Sequence, residues 1–360
     1  MKFALAAAGT GGHVFPALAV ADALVERGTA RDDILFFGGN RMEKTTVPAA
    51  GFRFVELEIR GLKRSLSPDN LKLISMVRKA RATVREICQD EGVGALATFG
   101  GYIAGPVAMA ARSAGVPLFL HEQNAMPGLA NRMITRWSTE VFVAFEQAQR
   151  TLGGRVVGNP LRKELVTFDR AALREEARAR YGLDDDTTVL GILGGSLGAR
   201  ALNEIANQVA MTLDRDKFAI VHVAGRDHGD TVRERADRSG IRWAVCDFED
   251  QMQFFYAASD VVLSRAGALT VSELAVTRTP AVVVPLAIGT ADHQAANASG
   301  PVRDGAMVMV REDAIDQVPA ALEQLLSDVG KRHAMAEAYS RHARTDAAVI
   351  VADAMIGAAT

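Results

Sequence analysis

The chain has 360 residues, and its 41 Lys and Arg against 43 Asp and Glu leave a formal net charge of −2, so its overall charge predicts no nucleic-acid partner. A chain this long exceeds what one hydrophobic core usually organises, and two domains of about 180 residues are expected. At 49% hydrophobic and 23% charged it has the composition of an ordinary globular protein, and no apolar run approaches the roughly 18 residues of a spanning helix, which excludes integral membrane insertion.

Met1-Lys2 and the apolar run from Phe3 to Ala8 mimic the start of a secretion signal, but the run is short and passes straight into Gly9-Thr10-Gly11-Gly12. It reads as a first core strand entering a loop. From Phe15 to Arg27 the apolar positions Ala17, Val20, Ala21 and Leu24 follow helical spacing, with Pro16 suited to the first turn and Gly28 to the stop. Apolar strands then alternate with helical stretches at 33–37, 95–98, 117–120 and 141–144. Gly158-Asn159-Pro160, followed by a charged helix from Arg170 to Tyr181, marks the join. The second half repeats the opening: a strand at 189–193, the loop Gly194-Gly195-Ser196-Leu197-Gly198, a helix from about Ala199 to Leu213, and strands at 219–223, 261–264 and 281–284. Strands alternating with helices, without hairpin signals, predict an α/β fold of two Rossmann-like doubly wound domains facing a cleft, with ligands outside the carboxyl ends of the strands. The two cysteines, Cys88 and Cys246, are far apart and read as core fillers in a reducing compartment.

A diphosphate needs backbone N–H groups at close range and a positive helix terminus behind them, and glycine permits both the approach and the turn. Gly9-x-Gly11 opens like a dinucleotide fingerprint, but Val14 stands where the third glycine belongs, which weakens a nicotinamide reading. Residues 38–45 nearly spell a P-loop, except that Glu43 replaces the glycine before Lys44; a carboxylate there would repel phosphate, so ATP binding is rejected. One such loop is as readily a plain strand-to-helix turn, but three in one chain favour phosphate. The third is Ser264 to Glu273, which places Glu273 in a first helical turn, able to accept two hydrogen bonds from a vicinal ribose diol or merely to complement the helix dipole. Gln294 and Asn297 lie three apart, share a helix face and could hold sugar hydroxyls, or only cap a surface.

Taken as a set, Gly9-Thr10-Gly11-Gly12-His13-Val14-Phe15-Pro16, Phe99-Gly100-Gly101-Tyr102, His121-Glu122-Gln123-Asn124, Gly158-Asn159-Pro160-Leu161-Arg162, Gly194 to Arg200, the 264–273 segment and His293-Gln294 with Asn297 resemble the MurG family of peptidoglycan N-acetylglucosaminyltransferases. The resemblance runs in order from near residue 3 to beyond 300. It implies the glycosyltransferase-B architecture, with an acceptor- and membrane-side domain at 1–163, a UDP-sugar domain at 164–340 and a C-terminal helix over 341–360 packing back on the first. It further implies that Thr10, Gly11, Gly12 and Asn124 face donor sugar and diphosphate, and that Arg162 and Ser196 contact nucleotide or phosphates. The backbone around Phe248-Glu249 would read uracil, Ala268, Leu269, Thr270, Val271, Ser272 and Glu273 would hold diphosphate and ribose, and Gln294 with Asn297 would orient the sugar. Two positions depart from the family: Ala8 stands where it commonly has glycine, which touches the tightest packing of the first loop, and Glu249 where it is often apolar, which matters little for a backbone contact.

The implied reaction is an inverting transfer of N-acetylglucosamine from UDP-N-acetylglucosamine to the C4 hydroxyl of the muramyl sugar of undecaprenyl-pyrophosphoryl-MurNAc-peptide (lipid I). Its product is lipid II, made at the cytoplasmic face of the bacterial inner membrane. Preorganised N–H donors, worth about 3 kcal/mol apiece when well placed, can stabilise the leaving diphosphate, so no cofactor or metal is expected to be obligatory. Asp184-Asp185-Asp186 formally fits an Asp-x-Asp metal motif but reads more simply as a solvated turn. His13 is the candidate base, because imidazole titrates near working pH, with a hydrogen-bonding role on the substrate as the alternative; Glu122 is the rival base and His121 reads as structural. Residues 60–85 carry Arg60, Lys63, Arg64, Lys72, Arg78, Lys79, Arg81 and Arg85 against a lone Asp69, an excess of seven positive charges suited to an anionic membrane surface or to a solvated helix face. Leu73, Val77, Ala80, Val84 and Cys88 form the core stripe of that helix, while Leu66, Leu71 and Met76 fall outside it and are expected to dip into headgroups. Alternatives are another UDP-sugar transferase such as one acting on diacylglycerol, a UDP-N-acetylglucosamine epimerase, which would need no membrane patch, and a sugar-nucleotide-binding protein without turnover.

Overall fold

The computed structural model describes residues 1–59, 69–184, 186–195, 199–286 and 292–359, with the backbone alone over 69–72. Two compact units make up the chain: Met1–Arg162 with Thr345–Thr360, and Lys163–Arg344.

The first unit is a parallel sheet of β1 (Lys2–Ala6), β2 (Ile34–Gly38), β3 (Arg53–Glu56), β4 (Val93–Thr98), β5 (Leu118–Glu122), β6 (Glu140–Val143) and β7 (Arg155–Val156), in the order β3-β2-β1-β4-β5-β6-β7. The chain winds outward from β1 to β3, then crosses back to β4 on the other side of β1, so the winding reverses between β1 and β4. Alternation along β1 divides the core: Phe3, Leu5 and Ala7 face one cluster, Ala4, Ala6 and Ala8 the other. On the first face lie α1 (Gly11–Glu26) and the C-terminal helix Ala347–Ala359, whose Ala347, Val351, Ala352 and Met355 are buried there. Following α2 (Glu43–Ala49), α3 (Asp69–Asp90) and α4 (Ala104–Ala114) cover the second face, with Ala80, Val84, Ile103 and Val107 buried. Two short helices, α5 (Leu129–Ile134) and α6 (Glu146–Leu152), follow β5 and β6.

Helix α1 begins four residues before the expected Phe15. The Thr10 carbonyl accepts the N–H groups of His13 at 3.0 Å and Val14 at 3.3 Å, so Gly11 and Gly12 form the first turn instead of a loop. Pro16 consequently falls in the second turn, where it removes one helical hydrogen bond.

The second unit repeats the plan with β8 (Thr188–Leu193), β9 (Phe218–Val223), β10 (Arg242–Cys246), β11 (Val261–Ser264), β12 (Ala281–Val283) and β13 (Val308–Met309), all parallel in the order β10-β9-β8-β11-β12-β13. Its helices are α7 (Lys163–Val166), α8 (Arg170–Arg180), α9 (Arg200–Ala210), α10 (Gly229–Ser239), α11 (Met252–Ala258), α12 (Ala268–Thr277), α13 (His293–Arg303), α14 (Val318–Ser327) and α15 (Val329–Ala338). A partly buried ion cluster fastens α8 to the sheet: Asp260 accepts from Arg174 at 2.8 Å, Arg178 at 3.0 Å and the Val189 N–H at 2.8 Å. Arg178 is fully buried, so losing Asp260 would strand a desolvated charge. Among the described residues no helix is long and apolar enough to cross a membrane.

Candidate functional site

In the first unit the loops after β1, β4 and β5 meet at the carboxyl edge of the sheet. Gly11 and Gly12 open α1, and their N–H groups have no acceptor within the helix. Thr10, exposed, caps that helix in extended conformation, and its Oγ1 lies 3.5 Å from His13 Nδ1, at the outer limit of a hydrogen bond. His13 is half-buried with its ring edge beside Gly100. Burial lowers its pKa from the ordinary imidazole value and the negative charge of Glu43 partly offsets this, so the neutral ring, with one unprotonated nitrogen, is the favoured form. Arg162, the last residue of the unit's first segment, places its guanidinium 5.0 Å from the ring centre of Phe15, on the same turn as Gly11.

Glu122 is not available as a base. Its side chain is buried, Oε1 accepts from the Asn124 N–H at 2.8 Å and Nδ2 at 3.2 Å, and Oε2 accepts from the Gly128 N–H at 3.1 Å and Asn131 Nδ2 at 2.8 Å. With both oxygens engaged by donors, it braces the loop that carries Asn124. His121 is structural: Nε2 lies 2.9 Å from the Gly158 carbonyl and Nδ1 3.1 Å from Gln123 Nε2, and burial pushes its pKa down to about 4.

Glu43, which the sequence marks only as a defect in a P-loop, occupies an anion nest itself. It is fully buried, and its carboxylate accepts the N–H groups of Gly39 at 3.0 Å, Arg41 at 3.4 Å and Gly9 at 3.2 Å, tying the loops after β1 and β2 together. Nothing in the spacing distinguishes such an internal anion from a mismatch, and Asn131 and Tyr102 carry no sequence signal for their bracing roles either. Gly101 is obligatory: its φ is +80°, and a Cβ there would sit 2.4 Å from the Ala8 carbonyl oxygen. Ala8 itself is fully buried without strain, so its departure from glycine is absorbed.

In the second unit, Gly267 stands at the N-cap of α12 in extended conformation, so Ala268, Leu269 and Thr270 form the helix N-terminus. Val271 is buried and Ser272 half-buried. Glu273 lies in the second turn, not the first, because the helix starts at Ala268, and its Oε2 accepts the Tyr256 hydroxyl at 2.8 Å. Asn297 requires a correction. It is buried, and its Nδ2 donates to the Ala266 carbonyl at 3.2 Å, so it holds the turn before α12 and does not reach out to a sugar. Gln294, on the same helix, is half-buried and accepts the Leu286 N–H at 2.8 Å. Arg265, given no role by the sequence, is buried and donates to the Val284 carbonyl at 3.1 Å and Glu312 at 2.6 Å, locking the loops after β11 and β12 together. The Glu249 side chain is buried against α8, accepting the Tyr181 hydroxyl at 2.7 Å, while Phe248 is exposed with Arg226 stacked 5.1 Å from its ring centre. Ser196 lies outside the described residues.

Of the membrane-side residues, Leu66, Arg60, Lys63 and Arg64 lie outside the described residues, as do the side chains of Leu71 and Lys72. Met76 is half-buried against the core beside Val77, so it joins the inward stripe instead of dipping outward. Arg78, Arg81 and Arg85 are exposed, Lys79 pairs with Glu58, and the large apolar side chain of Ile74 is left 52% exposed on α3. Of the acidic triplet, Asp184 pairs with Arg242, and Asp185 lies outside the described residues.

Residues 3–143 match the glycosyltransferase family 28 N-terminal domain and residues 189–351 its C-terminal domain. Both halves of a family-28 glycosyltransferase are therefore present. A Thermobifida fusca protein, named UDP-N-acetylglucosamine--N-acetylmuramyl-(pentapeptide) pyrophosphoryl-undecaprenol N-acetylglucosamine transferase, is 37% identical over all of this chain and 94% of its own. The crystal structure of Acinetobacter baumannii MurG superposes with a TM-score of 0.76 at 30% identity, covering 99% of this chain and 100% of that one. The chain belongs to the MurG family. Its two doubly wound α/β domains of glycosyltransferase-B architecture bear out the fold read from the sequence. Neisseria meningitidis UDP-GlcNAc 2-epimerase, solved with UDP-GlcNAc, covers 99% of this chain and 100% of its own with a TM-score of 0.70, but at 14% identity it shares the fold alone.

Proposed function

We propose that the protein transfers N-acetylglucosamine from UDP-N-acetylglucosamine to the C4 hydroxyl of the muramyl sugar of lipid I, with inversion, to give lipid II. The observation that carries this reading is the likeness, over the whole chain, to a relative named for that transfer. The local chemistry supports it. The N-terminus of α12, set by Gly267 and held by Asn297 and Arg265, directs its helix dipole and first-turn N–H groups to the diphosphate of the departing UDP. Glu273, steadied by Tyr256, accepts from the ribose; the chain around Phe248 meets uracil; and Gln294 meets the sugar. In the first unit Gly11, Gly12 and the Asn124 loop address the substrate diphosphate and sugar, Arg162 adds positive charge, and neutral His13 takes the proton of the attacking hydroxyl. None of these steps calls on a metal.

The first unit takes the acceptor, and α3 brings it to the cytoplasmic face of the membrane through the exposed Arg78, Arg81 and Arg85 flanking Ile74. Co-sedimentation with vesicles should rise with anionic lipid and fall with salt; binding indifferent to both contradicts electrostatic docking. For the chemistry, His13→Ala should lower kcat by about a hundredfold or more while leaving the Kd for UDP-N-acetylglucosamine nearly unchanged. Retained turnover removes His13 as the base.

A further inference from the structure

A cavity of about 310 Å³ opens in the first unit, distinct from the His13 site. Its walls are Asn40 and Arg41 from the loop after β2, Glu56 and Glu58 around the end of β3, and Tyr102 from the loop after β4; Leu57, Ile59 and Met76 form an apolar floor. Both carboxylates are already matched, Glu56 by Lys44 at 2.9 Å and Glu58 by Lys79. Arg41 is exposed and makes no ion pair with any described residue, so the wall presents one unmatched guanidinium beside the Asn40 amide. A planar guanidinium in a concave wall suits the two oxygens of a carboxylate, and the adjoining apolar floor suits short aliphatic side chains. The volume lies at the small end of ligand sites, enough for part of a peptide and too little for a lipid-linked saccharide. Tyr102 connects the cavity to the chemistry. Its hydroxyl fills the space where Gly39 lacks a Cβ, while its ring edge lies 3.9 Å from the Cβ position of Gly9 in the first glycine loop.

Resting on the reading that the first unit takes the lipid-linked acceptor, we propose that this cavity binds a carboxylate of the acceptor's peptide, with Arg41 as the recognising cation. Peptide binding is then separate from proton transfer at His13, and it acts on acceptor affinity without entering the chemical step.

Three acceptors sharing one muramyl-pyrophosphoryl lipid test this: one with the free-carboxylate peptide, one with the same peptide amidated, and one without peptide. Wild-type protein should show the lowest KM for the first and a KM about tenfold higher for the other two, as expected for one charge-assisted contact. Arg41→Ala should raise the first KM about tenfold and leave kcat and the other two KM values unchanged, with Arg41→Lys recovering part of the loss. An unchanged Tm shows the exposed substitution leaves the fold intact. Equal KM values for all three acceptors in the wild type overturn the inference. So does an equal rise for all three in Arg41→Ala, since the guanidinium would then meet phosphate or anionic lipid. Transfer by the wild type to none of them overturns the proposed function itself, a result distinct from loss of discrimination alone.

Discussion

In a Glu122→Gln variant one carboxylate oxygen becomes an NH2 group, and whichever is replaced, two of the four donors aimed at Glu122 lose their acceptor. The cheaper orientation follows from Asn131, whose Oδ1 is buried and makes no hydrogen bond. Placing the new NH2 at the Oε2 position and turning the Asn131 amide over recovers one hydrogen bond, leaving the Gly128 N–H as the loss. Losing the charge weakens the bonds that remain, so the net cost is about 2 kcal/mol, the size of one charge-assisted hydrogen bond. Urea unfolding should register that loss, while kcat at saturating substrates should fall less than about tenfold, because the brace acts through Asn124. Unchanged stability with kcat lowered by a hundredfold or more would refute this reasoning and restore Glu122 as a base.

Gly101→Ala combines a left-handed φ with a Cβ 2.4 Å from the Ala8 carbonyl, so the melting temperature should drop by the equivalent of about 2–4 kcal/mol; wild-type stability would show that the loop after β4 can move. Asn297→Ala should weaken UDP binding by about tenfold through the released turn before α12, while Asn297→Asp, which keeps the volume but not the donor, should do no better; isothermal titration reads both. Burial depresses His121 to a pKa of about 4 and His222 to about 3, below the ordinary 6.5. Below pH 6.5 the unfolded chain therefore binds protons that the folded chain refuses. The stabilisation from His121 is complete above 6.5 and is lost as pH falls toward 4, on the order of 3 kcal/mol. A denaturation midpoint flat across that window contradicts buried neutral imidazoles.

What the sequence could and could not reveal follows from burial. Central strands such as β1, β2, β8 and β11 are covered on both faces, so they appear as continuous apolar runs and were legible. The strands with no sequence signal, β3, β7, β10 and β13, are the four edges of the two sheets; they are only partly buried, Arg53, Glu56, Arg155 and Arg242 interrupt the apolar pattern of the first three, and β13 is two residues long. The glycine loops were visible because glycine is required there by geometry, as at Gly101. Side chains that support those loops from behind were not, because Glu43 and Arg265 reach backbone groups of other loops, and Asn131 the Glu122 carboxylate, without leaving a local pattern. For the same reason Asn297 reads from spacing as a ligand-facing residue although it points inward.

The most direct measurement incubates the wild-type protein with UDP-N-acetylglucosamine labelled in its sugar and a polyprenyl-pyrophosphoryl-MurNAc-peptide, then follows label and UDP together. UDP release matched one for one by label on the lipid-linked acceptor, with the new glycosidic bond inverted relative to the donor, is the predicted result. UDP release with the acceptor left unlabelled, or conversion of the donor sugar without any acceptor, would contradict it.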